Sequence, residues 1–324
     1  MKQLQPAVAV IGGGIMGGDI ATVFAAGGWT VHVMSPSAAT RAKLPARIAA
    51  GVAKLGASSA NTGCLHVHAQ LGDVAWPDVE LVIESATEDL ALKRRLFAQL
   101  ETLARADVPL VTNTSALSIG DIGGALKTRA RVAGLHFFMP AHLVPLVEVV
   151  RADFTAATIA DRLEQVMKTL GKMPIHVNRD IPGFVGNRLQ HALMREALSL
   201  VAEGVASPEA VDTAVRFGFG FRFIACGPML QKEMSGWDTN VQAAASVYPS
   251  LNNDQKPIAM FSDMVARGDV GMKAGRGVWT WTEASIAREK ARYEKALQAG
   301  FEILRAEMSQ PAADAAPDGI PESG

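Results

Sequence analysis

The stretch AVAVIGGGIMGGDIATVFAAGGWTVHVM, residues 7–34, decides the fold. A short apolar run, 7–11, ends in consecutive glycines, a segment of helical period follows from Ile15 to Ala26, and a second apolar run occupies 30–34. Gly12, Gly14 and Gly17 therefore form GxGxxG at the junction of a strand and a helix. There the first glycine permits a tight turn and the second lets a pyrophosphate approach the backbone. The third lets helix and strand pack closely while the helix N-terminus faces the anion. Strand before and helix after are what give this spacing its force.

Further apolar runs follow at 80–84, 108–112 and 131–136, separated by segments of helical period, which is the signature of βαβ units around a buried parallel sheet. Another run, 143–150, comes after Pro140, and a helix expected over 155–170 leads into a strand over 173–177. The pattern changes near Ile181-Pro182-Gly183, beyond which apolar residues recur at three- and four-residue spacing. Ser207 at an N-cap, Pro208 at N1 and Glu209 in the first turn mark one helix start there. The expectation is an α/β Rossmann-type, doubly wound parallel sheet over 1–181, then a smaller all-α substrate and dimerisation domain over 182–309. The tail, 310–324, rich in Pro, Ala and acidic residues, is expected to be disordered.

The 324 residues suffice for two domains, and 49% hydrophobic with 19% charged residues is ordinary for a globular enzyme. Lys plus Arg, 31, nearly balances Asp plus Glu, 32, so charge supplies no reason to expect a nucleic acid or anionic membrane partner. Cys64 and Cys226 lie far apart, which excludes a disulfide framework and fits a reducing cytoplasm. Neither a signal segment nor a membrane span is expected.

The residue about 20 positions beyond the glycine turn, which in NAD sites is an acid on the ribose 2′-hydroxyl, is here Ser35. Ser37, Arg41 and Lys43 follow without a carboxylate, a set suited to a 2′-phosphate. NAD and NADP stand as near equals, with a lean to NADP.

His136 ends one expected strand, at the side of a parallel sheet where ligands bind, and Glu148 lies on the neighbouring apolar run. An imidazole so placed can take a hydroxyl proton while hydride leaves the same carbon, and a buried carboxylate can orient the ring. His66 and His68 share one face of a further strand, but sequence spacing supplies no third ligand, and no metal is expected. Arg179 and Asp180 read as hinge or salt-bridge residues.

Four further motifs, ESATED at 84–89, NTSALSI at 113–119, HFFMP at 136–140 and IPGFVGNRL at 181–189, together with the glycine turn, resemble the L-3-hydroxyacyl-CoA dehydrogenase superfamily in that family's order. The resemblance implies that His136 is the general base and Glu148 its partner, with Ser115 and Asn187 on the reacting oxygen. It places Glu84 near the nicotinamide, and Met16 and Asn113 complete the implied cofactor set with Gly12, Gly14, Gly17, Ser35 and Arg41. Met139 stands where the family carries Asn, which makes that corner more apolar.

Two departures bear on the substrate. Members acting on CoA esters carry a long lysine-rich helical hairpin after the second strand, whereas 38–78 is shorter and Ala-rich. Arg222, in FGFGFRFIACGP, resembles the branch acting on free hydroxy acids, which includes L-gulonate 3-dehydrogenase and L-carnitine dehydrogenase; a guanidinium suits a carboxylate. The charged helix expected over 284–308 also resembles that branch, and KAGRGVWTW at 273–281 resembles the family's closing glycine-rich turn. The resemblance thus implies a homodimeric dehydrogenase of a small L-3-hydroxy acid. The alternatives are a short-chain acyl-CoA enzyme and an inactive dinucleotide-binding structural or sensor protein, the latter disfavoured because all the inferred catalytic residues are present.

Overall fold

The computed structural model describes residues 5–308, and the expected disordered tail lies outside them. Two compact units divide after Arg188: Met1–Arg188 and Leu189–Gly324.

The first unit is built on eight strands: β1 (Ala7–Ile11), β2 (Thr30–Met34), β3 (Leu65–His68), β4 (Val79–Glu84), β5 (Leu110–Thr112), β6 (Val132–Phe137), β7 (Leu146–Val150) and β8 (Met173–Val177). Their order across the sheet is β3-β2-β1-β4-β5-β6-β7-β8. All five residues of β1 are buried because helices cover both faces of the sheet. Alternation sends Val8 and Val10 into one core with Ile20 and Phe24, and Ala9 and Ile11 into the other with Phe97 and Leu100. The connecting helices are α1 (Ile15–Ala26), α2 (Ala38–Lys54), α3 (Leu90–Leu103), α4 (Ile119–Gly123) and α5 (Ala157–Thr169). Ser37 caps α2 by accepting from Thr40 N, and Asp89 caps α3 by accepting from Leu92 N.

Strand order reverses between β1 and β4, so the carboxyl ends of these two strands, Ile11 and Glu84, stand side by side at the switch point where such sheets bind ligands. The run at 143–150 departs from a wholly parallel sheet. Its strand, β7, is antiparallel to β6, and that register sets His136 directly opposite Glu148.

The chain then becomes helical: α6 (Gly186–Ala202), α7 (Pro208–Ala214), α8 (Gly220–Arg222), α9 (Pro228–Ser235), α10 (Trp237–Val247), α11 (Ala259–Ala266) and α12 (Glu283–Met308). A π-type turn, Val215–Phe219, separates α7 from α8. Arg276 makes isolated bridges to Gly271 and Thr280, which closes the glycine-rich turn before α12. No helix among the described residues is long and apolar enough to cross a membrane.

Candidate active site

The glycine turn has the shape its spacing predicts. Gly12 holds φ +116°, and a Cβ there would lie 2.4 Å from Ser85 O. At Gly17 a Cβ would lie 1.8 Å from Gly12 O, so this glycine lets α1 close on the turn. Around Gly14 a Cβ would meet nothing within 4 Å. Gly14 is also the N-cap of α1, makes no side-chain cap, and is followed by no acid in the first turn. Open space and uncapped N–H groups at a helix N-terminus fit a dinucleotide pyrophosphate. Met16 is half-buried on this first turn. Arg47, which the sequence did not single out for the turn, reaches from α2 and donates to Gly14 O at 3.1 Å and Ile15 O at 2.6 Å.

Ser35 is buried at the end of β2, where its N–H donates to His68 O. Arg41 donates through Nη1 to Ser35 O at 2.7 Å and to Pro36 O at 2.8 Å, which holds the guanidinium beside the β2–α2 loop.

Glu84 differs from its expected place as a cofactor contact. Its carboxylate is wholly enclosed: Lys93 Nζ lies 2.8 Å from both oxygens, Thr112 Oγ1 donates at 2.6 Å and Ala86 N at 2.6 Å. A buried lysine between carboxylates makes this group part of the floor of the switch point. Glu88, the second acid of ESATED, has the more telling position. Its Oε1 accepts from Thr114 Oγ1, Ser115 N and Ala116 N, and its Oε2 lies 3.3 Å from Lys93 Nζ. It therefore grips the loop that carries Ser115. Burial raises the Glu88 pKa, but the bonds from Thr114 and the loop amide, with the charge of Lys93, hold it below the ordinary glutamate value. The available sequence signal was Lys93, which occupies an apolar-face position of α3 with Phe97 and Leu100.

His136 is 2% exposed, between the rings of Phe138 and Phe184, whose centroids lie 4.7 Å and 5.5 Å away. Its Nδ1 is 2.6 Å from Glu148 Oε2, and its Nε2 is 3.1 Å from Ser115 Oγ. Glu148 has no exposed surface, and its other oxygen accepts from Val185 N at 2.9 Å and Gly186 N at 2.8 Å. Burial raises the Glu148 pKa, yet the bonds from His136, Gly186 and Val185 outweigh it and hold the carboxylate below its ordinary value. An ionised carboxylate only accepts, so Nδ1 carries the proton and Nε2 presents its lone pair toward Ser115.

Asn187 is the next residue after the pair that Glu148 holds, on the first turn of α6 and half-buried. A Cβ on Gly186 would lie 2.4 Å from the Phe138 ring, so only glycine lets this turn settle against the site. Phe184 reaches that turn in a left-handed conformation, φ 49°, while wholly buried. Asn113 uses Oδ1 to accept from Phe137 N at 2.8 Å, tying β5 to the strand of His136. Asp180 is not a salt-bridge residue: it accepts from Ser118 Oγ at 2.7 Å and Gly120 N at 2.9 Å, and so anchors the start of α4. Met139 is exposed just past β6. In the second unit, Arg222 ends α8 and is exposed.

The family model for the 3-hydroxyacyl-CoA dehydrogenase NAD binding domain matches residues 7–181, and that for its C-terminal domain matches residues 183–281. The chain belongs to the 3-hydroxyacyl-CoA dehydrogenase family. As a member, it is an NAD-dependent oxidoreductase acting on a CH–OH group. It is 30% identical over 302 residues, covering 92% of this chain and 97% of the relative, to 5-formyl-3-hydroxy-2-methylpyridine 4-carboxylate 5-dehydrogenase of Mesorhizobium japonicum. It is 34% identical over 325 residues to 3-hydroxyadipyl-CoA dehydrogenase of Escherichia coli, covering 97% of this chain and 65% of that relative. Among solved structures, a 5-formyl-3-hydroxy-2-methylpyridine 4-carboxylic acid 5-dehydrogenase described as an NAD+-dependent dismutase superposes with TM-score 0.86 at 28% identity, over 93% of this chain and 98% of that one. The (S)-3-hydroxybutyryl-CoA dehydrogenase of Ralstonia eutropha gives 0.69 at 30% identity, over 86% and 100%. The dehydrogenase family thus holds both free-acid and CoA-ester relatives of this chain.

Proposed function

We propose that this dehydrogenase reversibly oxidises the 3-hydroxyl of a small L-3-hydroxy carboxylic acid to the 3-keto acid. The observation that carries the chemistry is the line Ser115 Oγ, His136, Glu148, with its two imidazole contacts of 3.1 Å and 2.6 Å. His136 Nε2 takes the hydroxyl proton, and Glu148 holds the ring in the tautomer that leaves Nε2 free and stabilises the imidazolium that forms. Ser115 and Asn187 bind the reacting oxygen, and the enclosing Phe138 and Phe184 keep water from the ring. The nicotinamide of the bound cofactor supplies the hydride acceptor. Gly12, Gly14, Gly17 and Met16 receive its pyrophosphate end, and Asn113 and the floor built on Glu84 lie toward its other end. Ser35, Ser37 and Arg41 offer no carboxylate to a ribose 2′-hydroxyl, so this NAD-binding domain is read as accepting NADP nearly equally, with a slight preference for it. A catalytic efficiency with NAD+ well above that with NADP+ would reverse this preference.

A free acid is favoured over a CoA ester by two features. Between α2 and β3 the chain makes only a short 3₁₀ segment, Ser59–Cys64, with no second helix to build a CoA-holding hairpin. Arg222 supplies a guanidinium for the substrate carboxylate. The Mesorhizobium relative, whose named substrate is a pyridine carboxylate, accords with this. Arg222→Met should raise the KM for a free 3-hydroxy acid far more than for its ester, and equal effects would remove the assignment.

We infer a homodimer joined through the helical unit. Among its described residues only Ser199 is buried, while large apolar side chains such as Phe217, Phe221, Met234 and Tyr248 are exposed. A second copy would cover them. Light scattering should give twice the chain mass, and a monomer at micromolar concentration would contradict it. Cys64 and Cys226, both free, suit a reducing cytoplasm.

A further inference from the structure

The loop 138–145 joins β6 to β7 and so carries the chain from His136 to Glu148. Charged side chains outside the acid/base set hold it. Lys172, 6% exposed, donates from Nζ to Ala141 O at 2.5 Å and to Val144 O at 2.9 Å, while Leu143 N and Val144 N both donate to Pro140 O. From α1, Asp19, also 6% exposed, sets Oδ1 3.6 Å from His142 Nδ1, a buried nitrogen with no hydrogen-bond partner among the described residues. The same Oδ1 accepts from Arg47 Nη2 at 2.5 Å. Arg47 in turn donates to Gly14 O and Ile15 O, the first carbonyls of α1. A Cβ on Gly18 would lie 2.8 Å from Arg47 Nη1, so this glycine, which GxGxxG does not require, keeps open the place where the guanidinium lies on the helix.

One carboxylate thus faces Arg47 of α2, His142 of the loop and the charge of Lys172. Burial raises the Asp19 pKa, but the interactions with His142 and Arg47 outweigh it and hold the carboxyl below its ordinary value. Burial lowers the Lys172 pKa to about 8 and the Asp19 charge opposes that, so the ammonium persists at neutral pH. The 3.6 Å approach of Asp19 to His142 lies just outside hydrogen-bond length, and a shift of about 0.5 Å closes it.

We propose that Asp19 is a positioning residue that joins the cofactor turn to the loop between His136 and Glu148, so that seating the dinucleotide on α1 steadies the acid/base pair. The links run in order. A pyrophosphate held by the first-turn N–H groups fixes Gly14 and Ile15, whose carbonyls hold Arg47; Arg47 fixes Asp19, and Asp19 draws in His142 while Lys172 clamps the loop on its other carbonyls. The inference rests on the reading of His136 and Glu148 as the acid/base pair.

The test compares the unaltered chain, Asp19→Asn and His142→Ala, the last cutting only the final link and leaving Arg47, Asp19 and the turn in place. Amide hydrogen exchange is followed without cofactor and with saturating NAD+ or NADP+. In the unaltered chain, cofactor should slow exchange at Leu143 and Val144 by the factor typical of coupled sites, about 5- to 150-fold. In both variants that slowing should vanish while the amides of α1 remain protected by cofactor. A residue that only stabilised the fold would raise exchange in every state and leave the cofactor-dependent ratio unchanged. At saturating cofactor, kcat for a free L-3-hydroxy acid should fall in both variants, by up to the roughly 10²-fold that a 1 Å misplacement costs. Equal slowing in all three forms, no slowing at Leu143 and Val144 in the unaltered chain, or an unaltered kcat in both variants would each overturn the role. Should the hydroxy-acid reading itself fail, no form would turn over that substrate, and the exchange ratios would still decide this one.

Discussion

The substitution Glu148→Gln changes one oxygen to an NH2 group and removes one charge, and the consequence can be worked through from three contacts. The carboxylate receives the His136 Nδ1 proton on one oxygen and the Val185 and Gly186 N–H groups on the other. If the oxygen of the introduced amide faced His136, its NH2 would meet two backbone donors, leaving both unsatisfied at about 1–3 kcal/mol each. The favoured rotamer therefore turns the oxygen to Val185 and Gly186 and the NH2 to His136. The NH2 donates to Nδ1, the imidazole proton moves to Nε2, and the lone pair needed for proton abstraction is lost. General-base catalysis is worth about 10²–10⁴-fold. The expected fall in kcat is thus on the order of 10³-fold, about 4 kcal/mol at 1.36 kcal/mol per tenfold. The KM should move by much less, since no group that meets the cofactor turn has changed. Steady-state cofactor reduction, alongside a circular dichroism spectrum matching the unaltered protein, reads this out. A kcat within a few-fold of the original, or an effect confined to KM, would show that the His136 tautomer does not govern the reaction.

The two inner glycines of the turn should separate binding from stability. Gly14→Ala, where a Cβ meets nothing within 4 Å, should leave the melting temperature unchanged but raise the KM for cofactor, whereas Gly17→Ala forces a contact 1.8 Å from Gly12 O. The latter should destabilise by at least the roughly 1–3 kcal/mol of core overpacking, measured by chemical unfolding. His32 makes stability depend on pH. Its folded pKa of about 4 lies below the ordinary 6.5, so between these values the unfolded chain binds the extra proton and stability falls as pH drops, by up to about 1.4 kcal/mol per pH unit; its contribution is fully present above 6.5. His32→Phe should flatten melting temperature against pH across that window, and an unchanged slope would remove the role. Glu88→Gln should lower kcat by loosening the Ser115 loop while Glu88→Asp retains part of it, and identical activity in all three forms would show that the loop holds itself.

The parts of the fold that local sequence determines were legible in it. Glycine spacing between an apolar run and a helical period specifies β1, the turn and α1, because each glycine answers a separate steric demand. Periodicity likewise marked the strands and the change to helices, and Ser207 caps α7 as its position predicts. What escaped was set by partners remote in sequence. An apolar run carries no direction, so the antiparallel β7 that sets Glu148 opposite His136 could not be read from 143–150 alone. Lys93 shares the apolar face of α3 with Phe97 and Leu100, but only the sheet shows which carboxylates, Glu84 and Glu88, it is buried between. His32 joins His66 and His68 because the sheet order lays β2 against β3, a neighbour that sequence spacing does not disclose.

The most direct measurement follows cofactor reduction by a free L-3-hydroxy acid and by the CoA thioester of the same acid, side by side, with the unaltered chain and with His136→Asn. Turnover of the free acid with the higher kcat/KM, falling by about 10²–10⁴-fold on loss of the imidazole, is the expected result. Turnover of the thioester alone, or activity that survives His136→Asn, would contradict it.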